Sequence, residues 1–345
     1  MNALISARIH QLRALAALWV FIFHYTHFIA RPYFAPLATA NPFKLLAYYG
    51  YAGVSLFFCL SGLLFAQTYC PNASFKLWDY YAKRLLRILP AFCGLLLVYE
   101  LSSTEPLLAL PRLFGQVFAL DIQGYPNAIG HLWSINRELQ CYLLFPLLWW
   151  CARHLPPMLL SLLGISALSV SLLWAYQNQV ALPFFYGTFG LRWFEFIVGM
   201  LAGIYLQRLP HFRWQLMVMC LFYSGILTLQ HQYIWETPLA FSVVSFAWLV
   251  LNSVLCASFI VAYLGHTANL PDWAYQILEN IGRISYSFYL YHFLIIGMFA
   301  RHREWMFGNN PVDMLWILAL SLCAAWLSYN FIEQPGLKLK RIIFH

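Results

Sequence analysis

"LRALAALWVFIFHY", residues Leu12 to Tyr25, is apolar at every position but two. A run of this kind is fit for lipid, where an ionisable side chain is costly enough to need a reason. The two exceptions, Arg13 and His24, stand 11 positions apart. At 100° per residue that separation is about three full turns, so a helix puts both side chains on one face, roughly 16 Å apart along its axis. The spacing aligns a cation at the membrane rim with an imidazole near mid-depth.

The rest of the chain reads the same way. Of its 345 residues 62% are hydrophobic and 9% charged, with 29 Phe, 22 Tyr and 14 Trp. A soluble domain carries about a quarter charged residues, so most of this surface must face lipid. Apolar runs of spanning length fall near residues 14–30, 46–67, 88–103, 139–153, 156–176, 191–206, 214–230, 238–265, 284–300 and 314–332. The expected fold is therefore all-α, a polytopic membrane protein of about ten transmembrane helices filling residues 1–345 as one domain. The first run is too long for a signal peptide and no small-residue cleavage site follows it, so the first helix is expected to stay in the mature protein.

Lysine and arginine set the orientation. Arg8, Arg13, Lys76, Lys83, Arg84, Arg87, Arg153, Arg208, Arg213, Arg283, Lys338, Lys340 and Arg341 fall on one side, 13 of the 20 basic residues. Arg31, Lys44, Arg112, Arg137, Arg192, Arg301 and Arg303 fall on the other, which places both termini in the cytoplasm. This topology accounts for much of the net charge of +8, so nucleic acid is not called for as a partner. None of the eight cysteines forms a CxxC pair, and most sit in or beside apolar runs. They read as small buried hydrophobes, with neither a disulfide framework nor a metal site.

Four segments carry polar groups into apolar surroundings. In the first, His24 is either a core histidine with a hydrogen-bond partner or a neutral imidazole acting as general base on a hydroxyl; His10 and His27 have weaker claims. The second runs from "FFCLSGLLFAQTY", Phe57 to Tyr69, to "YYAKRLLRILPAF", Tyr80 to Phe92. Ser61 and Gly62 permit close helix approach. Lys83, Arg84 and Arg87 form a basic turn at the cytoplasmic entrance of the third span, either a topology signal or a grip for a soluble polyanionic donor with phosphates. In the third, "HLWSINRELQCYLLFPLL" from His131 to Leu148, Glu138 and Tyr142 share a face. Glu138 is expected at the outer end of its helix, as a dipole partner, as the group that orients His24 or as a contact for an acyl-acceptor hydroxyl. In the fourth, "IGRISYSFYLYHFL" from Ile281 to Leu294, Ser285, Tyr289 and His292 make a polar stripe suited to interhelical hydrogen bonds. Arg192 and Glu195, three apart, are placed to pair with each other.

Together these segments resemble acyltransferase family 3, the bacterial membrane-bound acyltransferases that O-acylate surface glycans and related acceptors. The resemblance rests on Arg13 with His24, on "FFCLSGLL" leading to "KRLLRILP", on "HLWSINRELQCYLLFP", and on "ISYSFYLYH" with the later "NFIEQP", and so covers about residues 8–335. Arg137 and Cys141 depart from the family's pattern, so an unusual surface is expected on the acyl-acceptor side. No esterase-like soluble domain follows the last helix, and the membrane module is expected to work alone or with a separate periplasmic partner.

What the resemblance implies is an O-acetyltransferase of the bacterial inner membrane. It would move an acyl group, acetyl in the first instance, from cytoplasmic acyl-CoA to a hydroxyl of a surface or lipid-linked glycan. Acetyl-CoA would be a co-substrate and no cofactor would be bound permanently. His24 and Glu138 would be catalytic; Arg13, Lys83, Arg84 and Arg87 would hold the donor; Ser61, Tyr142, Tyr289 and His292 would support the acyl acceptor. The rival from another class is a proton-coupled transporter or flippase in which His24, Glu138 and His292 relay protons, against which stands the lack of a repeated half with broken helices.

Overall fold

The computed structural model describes residues 3–30, 47, 49–71, 75–102, 127–178, 188–205, 243–265, 271–308 and 310–343. No strand occurs among them. Eleven α-helices are described: α1 (Ala3–Phe28), α2 (Ala52–Tyr69), α3 (Leu77–Ser102), α4 (Trp133–His154), α5 (Pro157–Gln177), α6 (Phe189–Tyr205), α7 (Val243–Gly265), α8 (Asp272–Arg283), α9 (Ser285–Arg301), α10 (Asn310–Ser328) and α11 (Gln334–Ile343). The expected spans overlap these helices, but α3 and α4 begin well before the expected 88 and 139, and 214–230 and the start of 238–265 lie outside the described residues. By length and apolarity alone, five helical stretches suffice to cross a membrane: those of α1, α2, α5 and α7, and Pro311–Lys338.

Which helices are central follows from burial. Two thirds of α2 is enclosed by protein, 67% of its apolar window, against 28% for α5, whose Met158, Val170 and Tyr176 face outward. Between apolar helices in lipid there is little hydrophobic gain, so close packing must supply the attraction, and small residues allow it. The α2–α6 seam is built this way. A Cβ added to Gly62 would lie 2.0 Å from the Phe196 carbonyl oxygen, and one added to Gly199 would lie 1.9 Å from that of Cys59, so backbone rests on backbone from both sides. Gly62 thus does what its sequence suggests. Phe58, Phe65, Phe145, Phe196 and Met200 fill the core around the seam.

Two local features place the functional groups. Before α4 the chain makes a 3-10 turn, Asn127–Leu132, in which His131 and Leu132 are already buried. His131 Nε2–H donates to the Leu290 carbonyl at 3.1 Å, so α4 begins level with the interior of α9. Between α10 and α11 lies a π-helical stretch, Tyr329–Glu333. Pro335 stands two residues beyond its end, after Gln334. Proline has no N–H to give to the carbonyl four residues back and its ring crowds that carbonyl, and widening the preceding turn relieves both. The wider turn brings Glu333 inward, where it is 4% exposed.

Candidate active site

Five helices enclose a cavity of about 120 Å³. Arg13 comes from α1; Ser61, Phe57 and Phe65 from α2; Arg84, Arg87 and Ile88 from α3; Ser134, Ile135, Glu138 and Tyr142 from α4; and Ser285, Tyr286 and Tyr289 from α9. The volume approaches the ~150 Å³ of cavities that admit benzene, so a group of that size fits inside. Four segments far apart in sequence therefore converge on one chamber. Ser61, Glu138, Tyr142 and Tyr289 reach it together with three of the four expected donor cations.

Lys83 does not line the chamber. The basic residues do not form an entrance turn, because α3 starts at Leu77 and carries them along its length. Arg84, Arg87 and Ile88 then share one face, from which Lys83 is rotated by roughly a quarter turn. Arg84 is held by aromatic rings, its guanidinium 3.9 Å from the Phe65 ring centroid and donating to the Tyr69 hydroxyl at 3.1 Å. Arg13 and Arg87 are different. Among the described residues neither makes a hydrogen bond or ion pair with a protein group, although Arg13 feels Glu333 and Glu138 as opposite charges and Arg87 as a like one. Two guanidiniums pointing into a small chamber without a direct partner suit an anionic ligand.

Glu138 corrects the sequence reading. It does not stand at an outer rim opposite the cations but in their chamber, accepting a hydrogen bond from the Tyr142 hydroxyl. The cause is the buried start of α4: the helix begins inside the protein, and Glu138 lies more than a turn further along. Nor does Glu138 orient His24. His24 Nδ1 lies 2.8 Å from His292 Nε2, and the side chains packed on the His24 ring are Phe23, Phe28, His131, His292 and Phe293. His292, with no measurable exposure, donates Nδ1–H to the Phe288 carbonyl at 3.0 Å.

The chamber and the histidines meet at Tyr289. Its hydroxyl lies 2.6 Å from Ser134 Oγ and donates to the His131 carbonyl at 3.1 Å, while its ring stands 5.6 Å from that of His292. Arg13 and His24 thus mark the two ends of one polar column, as their spacing suggests. Arg13 stands within the apolar stretch Leu4–Phe28 and not at its end.

Three participants were not singled out from the sequence. His131 stands in the quoted third segment and joins His24 and His292 as a third imidazole, itself buried. Ser134, four residues before Glu138, shares its helix face, a signal present in the spacing. Glu333, in "NFIEQP", accepts from Ser287 Oγ at 2.9 Å, and only the π-helical turn brings it in. Arg192 and Glu195 do pair, at 2.5 Å and almost fully buried, with Arg192 also donating to Ser55 at 3.1 Å. Arg137, 2% exposed, donates to Gln140 at 2.9 Å, and Cys141 is buried completely. Neither Arg137 nor Cys141 can make the unusual acyl-acceptor surface expected of them, and Arg137 and Arg192 are buried groups.

Comparison with known proteins bears on this arrangement directly. The family model described as an acyltransferase domain matches residues 6–330, which takes in every wall of the chamber and all three histidines. The chain belongs to this acyltransferase family. It is 25% identical to "Putative peptidoglycan O-acetyltransferase YrhL" of Bacillus subtilis, over 83% of this chain and 50% of that protein. A Staphylococcus aureus protein, "Putative O-acetyltransferase SACOL0978", is likewise 25% identical over 83% of this chain and 52% of its own length. "Putative membrane-bound transacylase BcsY" of Komagataeibacter xylinus is 24% identical over 84% of this chain and 76% of its own. The chain spans about half the length of the first two relatives. No solved structure matches it.

Proposed function

We propose that this chain is a membrane O-acyltransferase that takes an acetyl group from cytoplasmic acetyl-CoA and passes it to a hydroxyl of a surface or lipid-linked glycan. The observation that carries the proposal is the pair Arg13 and Arg87, two guanidiniums that among the described residues have no direct protein partner, in a chamber whose wall residue Tyr289 packs against His292, the hydrogen-bond partner of His24. The ~16 Å rise between Arg13 and His24 is of the order of an extended pantetheine arm, which separates a donor's phosphates from its thioester. Arg13 and Arg87, with Arg84 behind them, hold the phosphate end. The acyl end reaches the histidines, where His24 takes the proton of the incoming hydroxyl. Glu138, hydrogen-bonded to Tyr142, is an opposite charge to Arg13 in the same chamber. About ten transmembrane helices in one domain, both termini in the cytoplasm and a place in the bacterial inner membrane complete the reading. The positive-inside asymmetry supports it.

Incubating the purified protein with radiolabelled acetyl-CoA and a glycan acceptor tests the proposal. Label should move to the glycan. A transporter or flippase would transfer none, and that result would end the acyl-transfer reading.

A further inference from the structure

The histidine group holds information about proton placement that follows from hydrogen-bond donors and acceptors alone. His292 Nδ1 lies 3.0 Å from the Phe288 carbonyl oxygen, four residues back on α9. A carbonyl only accepts, so this nitrogen carries a hydrogen. His292 is completely buried, packed against His24, His131, Phe288, Tyr289 and Phe293, and among the described residues no carboxylate bonds to it. A charge there would be buried without a counter-ion, so the ring is neutral and its Nε2 presents a lone pair. That lone pair faces His24 Nδ1 at 2.8 Å. The hydrogen between the two rings therefore belongs to His24 Nδ1, which leaves the lone pair of His24 on Nε2.

We propose that His292 is a positioning residue which, anchored by the Phe288 carbonyl, holds His24 in the one tautomer whose Nε2 can act as base. The inference rests on the acyl-transfer reading of the site and deepens it. No other ring packed on His24 can replace His292. Phe23, Phe28 and Phe293 have no polar atom, and His131 commits its Nε2–H to the Leu290 carbonyl, its ring centroid 6.4 Å from that of His24. In the reaction, the proton of the hydroxyl passes to His24 Nε2 as the hydroxyl oxygen forms its bond to the thioester carbonyl carbon. The carbon–sulfur bond then breaks and the thiolate takes the proton from Nε2, so ester and free thiol are the products. Between those events His24 is an imidazolium whose Nδ1–H already points at an acceptor, and no rearrangement is needed to stabilise it. His292 does for His24 what a carboxylate does in a hydrolase triad, with a neutral acceptor in place of an anion.

The test is a comparison of kcat and KM for acetyl-CoA among His292→Phe, His292→Gln and His24→Ala. Phenylalanine keeps the ring volume and removes the acceptor. The expected fall in kcat is about 10- to 100-fold, the usual loss when a ligand's or base's outer partner is removed, with KM for acetyl-CoA unchanged. Glutamine can offer its Oε1 near the position of Nε2 and should recover much of the loss. Wild-type kcat in His292→Phe overturns the proposal, and so does equal impairment of the Phe and Gln variants, which would mean that His292 matters only for packing. Should His292→Phe not be recovered folded, the Gln variant decides: partial activity supports the positioning role, and a loss as deep as that of His24→Ala overturns it. His24→Ala separates the two levels. If it transfers acetyl at the wild-type rate, the reading of His24 as base fails; if it is inactive while His292→Phe is normal, only the positioning role fails.

Discussion

Arg87→Ala is the most informative perturbation of the chamber. Among the described residues Arg87 makes no hydrogen bond or ion pair, so removing it breaks no internal contact of that kind; it relieves the repulsion of Arg13 and gives up the attraction of Glu333. These two effects oppose each other, so the unfolding temperature should change little. What is lost is a charge-assisted contact to the donor, typically about 1.5–3 kcal/mol. At about 1.4 kcal/mol per tenfold, the apparent KM for acetyl-CoA should rise roughly 10- to 100-fold, with that for the glycan little changed. Lys83→Ala and Lys338→Ala are the controls: each removes one positive charge from the side assigned to the cytoplasm, Lys83 within four residues of Arg87 but off the chamber wall, and Lys338 exposed. The assay is initial-rate acetyl transfer with the purified protein, varying each substrate in turn. Equal effects from Arg87→Ala and Lys83→Ala would refute the reasoning, because net charge near the membrane surface and not the chamber would then govern donor binding.

Other expectations follow from the same geometry. His24→Ala should lower turnover by about 10²- to 10⁴-fold while membrane insertion is unchanged, and a variant with normal turnover contradicts its role as base. Gly199→Ala pushes a methyl to 1.9 Å from a backbone oxygen of α2 and should cost roughly 1–3 kcal/mol, read as a lower unfolding temperature in detergent, whereas Gly297→Ala, with nothing within 4 Å, should not. Cysteines at Ile88 and Ile135 line one chamber and should react with a membrane-impermeant thiol reagent from the same face, in a background freed of reactive native cysteines. Labelling from opposite faces would show that the chamber is divided.

What was legible in the sequence was what a single helix determines by itself. Apolar runs located the helices. The shared face of Arg13 and His24, of Glu138 and Tyr142, and the pairing of Arg192 with Glu195, follow from 3.6 residues per turn and hold wherever the helix sits. The partners across helices were not legible. His24 meets His292 across 268 positions, and Glu138 joins Arg13 because a buried 3-10 turn starts α4 deep in the protein. Glu333 enters through a turn widened ahead of Pro335. In a chain apolar on nearly every side, lipid and neighbouring helix are equally good company for a leucine, so the pattern of hydrophobicity marks neither the buried face nor the relative depth of two helices. Those are decided by where backbones can approach, at Gly62 and Gly199, and by where buried polar groups find partners.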